Sequence, residues 1–353
     1  MKSKVYFISV EDLDDVQAIK AKFTLLLDES DILDFLLPDK TAAIKMHFGE
    51  EGNTGHVSPE YVRMVCDRIS AKGAKPVLVD TNTLYRGKRS MTASHIQLAR
   101  GHGFTEEIAG APITIAEDSL DVEVGSQFLK TAKVAPFFLK ADALVGIAHF
   151  KGHLMTGFGG ALKNIGMGCA SREGKLIQHS DYTPIVKEEN CVGCGACEAA
   201  CPVRAISIVN DIARIEGGRC IGCASCISAC PNNAMDLDWD AGAGTIQEKM
   251  VGHAKAVLSG KKDKLAFFNF AIKITKECDC LAKDDPRICP DVGIFASCDP
   301  VSIDKACLDV MIKTCGKDVF MQVHPKRDGT KQLYHAAKLG LGNIEYDLVN
   351  LSY

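Results

Sequence analysis

Apolar runs of strand length alternate along this chain with stretches of helical periodicity. The strand candidates are KVYFISV (4–10), AAIKMHF (42–48), PVLVDT (76–81), PITIAE (112–117), ALVGIAHF (143–150) and LAFFNFAIKIT (265–275). They are apolar runs of strand length bounded by polar or turn residues. Between the second and third lies SPEYVRMVCDRISAKGAK, with Ser58 placed as N-cap, Pro59 at the first helical position and Gly73 near the C-cap. Its apolar residues Val62, Val65, Cys66 and Ile69 share one helical face, so Cys66 reads as core. Further helices are predicted over 243–259, 301–315 and 330–339. Cys307 falls in step with Ile303, Ala306, Val310 and Met311 and reads as core too. Strands alternating with helices predict an α/β fold with a mainly parallel sheet and flanking helices.

This alternation is interrupted by a repeated phrase. CVGCGACEAACP (191–202) is followed by CIGCASCISACP (220–231), each reading C-x-x-C-x-x-C-x-x-x-C-P. Three cysteines at intervals of three wrap a loop around one cluster, and the fourth reaches the neighbouring cluster. This assigns Cys191, Cys194, Cys197 and Cys230 to one 4Fe–4S cluster and Cys220, Cys223, Cys226 and Cys201 to a second. Structural zinc instead uses paired C-x-x-C units separated by a longer loop. Residues 187–235 therefore resemble the bacterial two-cluster ferredoxin module, a small α+β unit that needs its clusters to fold. The predicted organisation is an α/β domain built from 1–186 and 236–353, with the module inserted at 187–235.

Composition narrows the setting. The chain has 353 residues, a net charge of −4 and 46% hydrophobic residues. It offers no general polyanion-binding surface, which argues against nucleic acid as partner. The one basic run, KKDK at 261–264, reads as a solvated turn. No apolar stretch reaches the ~18 residues of a membrane span, and the N-terminus is too acidic for a signal peptide. The expectation is a cytoplasmic protein with no membrane association. Sixteen cysteines, half of them in the doubled phrase, point to a reducing and anaerobic setting.

The electron-carrying module accounts for a small part of the chain, so further chemistry is sought at the carboxyl ends of the strands, where open α/β sheets bind ligands. AAIKMHF ends with Lys45 and His47 on one side, opposite Ile44, Met46 and Phe48. ALVGIAHFKGH ends similarly, with His149 and Lys151 in step and His153 beyond. These five residues are the candidates for proton transfer or substrate binding. TGFGGALKN (156–164) offers Gly157, Gly159, Gly160, Lys163 and Asn164. It is either a tight turn into a buried helix or an anion site of backbone N–H groups, with Lys151 and Lys163 supplying charge. In KECDCLAKDDPRICPDVGIFASCDPVSID (276–304), Cys278 and Cys280 point the same way if extended, so both can reach one metal ion. Asp279, Asp291, Asp299 and Asp304 add oxygens in the same stretch.

The motifs KMHFGEEGN, FKGHLMTGFGGALKNIGMG, QHS and CDC…DVGIFASCDPVSIDKA together resemble the family catalogued as domain of unknown function 362. The resemblance spans nearly the whole chain. It implies an α/β domain, often fused to two-cluster ferredoxin motifs, and brings no activity with it. It also marks Lys45, His47, Lys151, His153, Lys163, Asn164, Cys278, Cys280, Asp291 and Asp299 as matching recurrent family motifs. The resulting expectation is an iron–sulfur redox protein, an oxidoreductase in character. Two 4Fe–4S clusters would exchange electrons with a Lys/His/Cys-lined pocket that binds an anionic substrate, a cofactor or one further metal ion. The rivals are an electron-transfer protein whose large domain docks a redox partner protein, and a metal-handling or maturation protein.

Overall fold

The computed structural model describes residues 2–84, 87–179, 183–220, 225–236 and 245–352. Eight strands form the central sheet: β1 (Ser3–Ser9), β2 (Thr41–Lys45), β3 (Lys75–Thr81), β4 (Ile113–Ala116), β5 (Ala143–His149), β6 (Leu265–Ala271), β7 (Gly293–Ser297) and β8 (Tyr346–Leu351). Their spatial order is β8-β1-β7-β6-β5-β2-β3-β4. β7 runs antiparallel to both of its neighbours, and the other pairs are parallel. The carboxyl ends of β2, β3, β5 and β6 consequently share one edge.

Both faces of the sheet are covered, which is why its strands read as continuous apolar runs. On one face Ala43, Val79, Leu144, Phe267 and Phe295 join a core with α5 (Ile246–Leu258) and α6 (Pro300–Cys315). On the other, Ile44, Leu78, Val145, Phe268 and Ile294 meet α1 (Val16–Glu29) and α2 (Pro59–Ala71). Three further helices bear on the site or its surroundings: α3 (Ala161–Gly166), α4 (Arg172–His179) and α7 (Thr330–Lys338). The start of α2 is as expected, with the Ser58 hydroxyl accepting from Glu60 N–H ahead of Pro59. Cys66 and Cys307 are fully buried in the two cores. No described helix is long and apolar enough to cross a membrane.

The differences from the pattern reading are local. β2 ends at Lys45 and β6 at Ala271, although Met46 and Phe48 stay in the same core as Ile44. β7 lies within the Cys/Asp-rich stretch, and neither it nor the edge strand β8 is among the strand candidates of the pattern. Residues 243–244 of the helix predicted over 243–259 lie outside the described residues. The KKDK turn is not wholly solvated: Lys261 is buried and its ammonium donates to Leu139 O at 3.2 Å and to Ala141 O. Cys289 and Cys315 are joined by a disulfide that closes the chain around α6.

The doubled-cysteine segment forms a small lobe. An antiparallel hairpin of Ile206–Val209 and Ile212–Ile215 packs with short helices at Ala196–Ala199 and Ser225–Ala229. Ile185–Val186 pairs antiparallel with Met235–Asp236, so the chain leaves and rejoins the larger body at adjacent points. The lobe's core contains Cys197, Ile206, Ala213, Cys226, Ile227 and Cys230, and it also takes in Leu84 and Leu176 from the larger body.

Candidate functional site

At the carboxyl edge of the sheet lies a cavity of about 690 Å³. Lys45, His47, His149, Lys151, His153, Gly159, Gly160, Lys163, Asn164, Cys278 and Cys280 all line it. Parallel pairing of β2, β5 and β6 is the cause, since it turns the residues after each strand toward one space. Gly157 is not part of the wall. Its positive φ of 77° and the backbone of Arg327 and Gly329, within 2.8 Å of where a Cβ would stand, give it a turn-packing role.

Much of this polar surface is spent on holding the strand ends together. Lys45 Nζ lies 3.1 Å from Asp80 Oδ1 and donates to Met46 O and Asn164 Oδ1 at 2.7 and 3.0 Å. Asn164 returns its amide N–H groups to Lys45 O and Ile147 O at 3.0 and 3.1 Å, tying β2 to β5. Burial works to raise the Asp80 carboxyl, but Lys45, His95 and Lys175 hold it below the usual carboxylate range. On α4, Lys175 donates to the Thr81 hydroxyl and to Thr81 O and Asn82 O. Burial brings its ammonium down to about 7, against the opposing pull of Asp80.

The expected anion cradle is occupied from within. Asp304 accepts from Ala161 N–H and Leu162 N–H at 2.7 and 2.9 Å and from the Asn269 amide at 2.7 Å. A Cβ on Gly160 would sit 2.2 Å from Asp304 Oδ1, so glycine there is what lets the carboxylate reach the start of α3. Gly159 makes room in the same way for the Lys163 stem, whose Cδ would lie 2.7 Å from a Cβ. The loop is therefore a tight turn into a buried helix, and the charge it offers the cavity is the Lys163 side chain.

Asp304 is also withdrawn from the group of oxygens expected near the C-x-C pair. Asp299 caps α6 through Val301 and Ser302 N–H and accepts from Ser3 Oγ. Asp291 accepts from Lys273 N–H and Arg287. Of the four aspartates only Asp279 faces the site. His149 Nδ1 is 2.9 Å from its Oδ1, and Lys151 Nζ is 3.1 Å from its Oδ2. Burial would raise this carboxyl, yet His149 and Lys151 hold it well below the ordinary range.

On the other side of Asp279, the two thiols meet a histidine. One donor atom each of His153, Cys278 and Cys280 lie within 4.8 Å of one another, the one such trio of His, Cys, Asp or Glu among the described residues. His153 Nδ1 is 3.0 Å from Thr156 Oγ1, whose hydroxyl donates to Phe158 O at 2.8 Å, and Met155 and Thr156 N–H also point at it. Nδ1 is thus the acceptor and the neutral ring carries its proton on Nε2, which an ion bound there would have to displace. Burial first, then Lys163, keeps the ring neutral well below its usual titration range. Cys278 and Cys280 share one proton. The hydrogen bond from Cys280 holds Cys278 as thiolate, assisted by Lys163 with Nζ 3.5 Å from the sulfur, and leaves Cys280 as thiol. An imidazole, a thiolate and a thiol that would give up its proton only to a bound ion make a set of soft and borderline donors.

Sequence reasoning missed several walls of the cavity. Arg89 is buried, with Nη1 2.7 Å from His47 Nε2 and Nε 3.1 Å from Glu50 Oε2. Burial, followed by this guanidinium, keeps His47 neutral. Asp80 is the last residue but one of β3, and the strand-end rule would have found it. Lys175 and His179 stand four apart on α4, inside the REGKLIQHS segment, whose Ser180 lies outside the described residues.

In the small lobe, Cys191, Cys194, Cys197 and Cys230 line a single small cavity, the same four that spacing assigned to one cluster. Backbone N–H groups of Ala213, Ala205 and Ala234 point at the sulfurs of Cys191, Cys201 and Cys230 at 3.4, 3.2 and 3.2 Å. Of the second set, Cys201, Cys220 and Cys226 are described and Cys223 lies outside the described residues.

Fold and cavity together define an α/β protein with a mostly parallel sheet and a donor-rich pocket at its carboxyl edge. The family described as Domain of unknown function (DUF362) matches residues 42–309, well over half of the sequence, and the chain belongs to it. No curated protein matches. Solved structures that align with the chain include the following two. One is a crystal structure of a protein from Thermotoga maritima, with 14% identity and a TM-score of 0.41 over 87% of this chain and 60% of that one. The other is the lactate racemase apoprotein from Thermoanaerobacterium thermosaccharolyticum, with 14% identity and a TM-score of 0.39 over 77% of this chain and 51% of that one. The chain thus spans less than two thirds of the length of either.

Proposed function

We propose that this chain is an iron–sulfur redox protein whose small lobe exchanges electrons with a metal site in the large pocket. The donors of the lobe fit 4Fe–4S ligation: four thiols face one cavity, and N–H groups are aimed at the sulfurs of Cys191 and Cys230 among them and of Cys201 in the second set, as thiolate ligation favours. Such clusters supply one-electron transfer at low potential. In the pocket, His153, Cys278 and Cys280 would hold one further ion, and Lys151 and Lys163 would orient an anionic substrate against it.

The observation that carries this reading is the way the two sites share a wall. Leu84 lies in the core of the lobe and also lines the pocket, and α4 places Leu176 in that core while Lys175 and His179 face the pocket. A site built to pass electrons needs such a packed connection. The test is metal analysis of anaerobically purified protein, wild type beside Cys278→Ser/Cys280→Ser, with EPR of the dithionite-reduced state. The expected result is about one metal equivalent lost from the variant while the cluster signals persist. Equal metal content in both proteins would overturn the third site.

A metal-handling role is a second reading, favoured by one feature. Three protein donors leave a fourth position of a tetrahedral ion open, as a site that passes its ion on requires. Transfer of that ion to an apo-acceptor at the rate of mixing, without reductant, would select this reading over the first.

A further inference from the structure

The cations of the large pocket fall into two groups. Lys45, Lys175 and Arg89 are committed to the protein itself, through Asp80 and Asn164, the Thr81 and Asn82 oxygens, and Glu50 and His47 respectively. Lys151 and Lys163 each have a single recorded partner on the C-x-C loop, Asp279 Oδ2 at 3.1 Å and Cys278 Sγ at 3.5 Å, so each ammonium keeps N–H donors to offer although its charge is already faced by one anion. Beside this polar floor the wall turns apolar, with Leu84, Met155 and Met167. At the mouth, Leu154 and Leu281 also line the cavity while remaining 58% and 40% exposed. They come from two separate loops, and an apolar rim around a polar floor is the mark of a ligand with the matching polarity.

We propose that the pocket takes an amphiphilic monocarboxylate, its carboxylate held between Lys151 and Lys163 beside the two sulfurs and its hydrocarbon body lying along Met155, Leu154 and Leu281. This rests on the reading of the Lys/His/Cys pocket as the substrate site. A singly charged head is favoured over phosphate by the closure of the loop: Ala161 and Leu162 N–H, the donors a phosphate would draw on, are already taken by Asp304. Two ammonium groups without a backbone cradle suit one carboxylate.

Titration calorimetry of the full-length, anaerobically purified protein tests it with sodium acetate, butyrate, hexanoate and octanoate, with octanamide and inorganic phosphate as comparators. Affinity should rise about four-fold per added methylene beyond butyrate. Octanoate should bind at least ten-fold tighter than octanamide, and Lys163→Met should remove that difference. Leu154→Ser/Leu281→Ser should flatten the chain-length dependence without changing the iron content. Affinity independent of chain length, octanamide binding as well as octanoate, or phosphate binding tighter than every carboxylate would each overturn the proposal. Metal content measured on the same samples separates this from the redox reading. An intact extra metal with no chain-length dependence refutes only the substrate class. A preserved chain-length dependence with no extra metal refutes only the metal site.

Discussion

Removing residues 187–235 and joining Val186 to Asp236 tests how far the small lobe is independent. The termini of the cut are adjacent, since Ile185–Val186 pairs with Met235–Asp236, so closing the gap asks little of the backbone. The cost lies elsewhere. Leu84 and Leu176, 3% and 0% exposed, pack into the core of the lobe and would be left facing water. At roughly 1.5–3 kcal/mol for each leucine, the remaining domain should lose about 3–6 kcal/mol, against a total of ~5–15 kcal/mol for a folded domain. The sheet itself keeps both of its cores, so urea unfolding followed by far-UV circular dichroism should stay cooperative with a lowered midpoint. Leu84→Ser/Leu176→Ser in the deleted chain should restore solubility by removing the exposed patch. An unchanged midpoint would show that these leucines gain nothing from the lobe. A deleted chain that has no cooperative transition, even with both serines, would make the lobe integral to the main core and the boundaries at 187 and 235 wrong.

Three further outcomes are expected. Anaerobically purified protein should hold about eight irons and eight acid-labile sulfides in its cluster sites, and zinc without sulfide in their place would refute the cluster assignment. Thr156→Val should weaken retention of the pocket metal by ~10-fold or more, because it frees the His153 ring to turn, whereas Thr156→Ser should keep it; equal retention in both, by competition with a chelator, would sink the positioning role. Burial pushes the Asp304 carboxyl up to about 6, above its unfolded value. The folded chain therefore holds a proton that the unfolded chain has lost, and this stabilisation fades as pH rises through 6. Between pH 5 and 7 wild type should lose about 1 kcal/mol relative to Asp304→Asn, and parallel stability profiles would contradict it.

How much of this was legible in the sequence follows from how local each signal is. The strands of the sheet's interior announced themselves because burial on both faces leaves little room for polar residues, as in the seven buried positions of β5. β7 was hidden: GIFAS is short, and its two partner strands lie 284–290 and 22–30 residues earlier in the chain. The pocket was half legible. Two-residue periodicity put Lys45 with His47, and both line the cavity although β2 ends at Lys45; Cys278 and Cys280 line it as well, but from a turn and not from the extended segment that the periodicity assumed. What each group does once there was not local. Asp304 looked like a ligand oxygen by its nearness in sequence to the C-x-C pair, but helical geometry carries it to the start of α3. Arg89 gave no signal, since nothing in GKRSMT distinguishes a buried guanidinium from a solvated one.

The division of labour among the lysines has a physical origin at the edge of the sheet. Where parallel strands end, their last carbonyls lose the partners that the ladder supplied, and an unmet buried acceptor is costly. This chain meets them with side-chain donors: Lys45 for Met46 O, Asn164 for Lys45 O and Ile147 O, and Lys175 for Thr81 O and Asn82 O. A cation serving carbonyls has no proton left for a ligand, so proximity to the cavity does not measure availability. Lys151 and Lys163 stand where the backbone has already turned away into the hairpin Lys151–His153/Gly157–Gly159 and into α3, and no carbonyl makes a claim on either ammonium among the described hydrogen bonds. The chemistry proposed for the pocket falls to these two for that reason, and the same reasoning makes Lys45, despite its place in the lining, a strut.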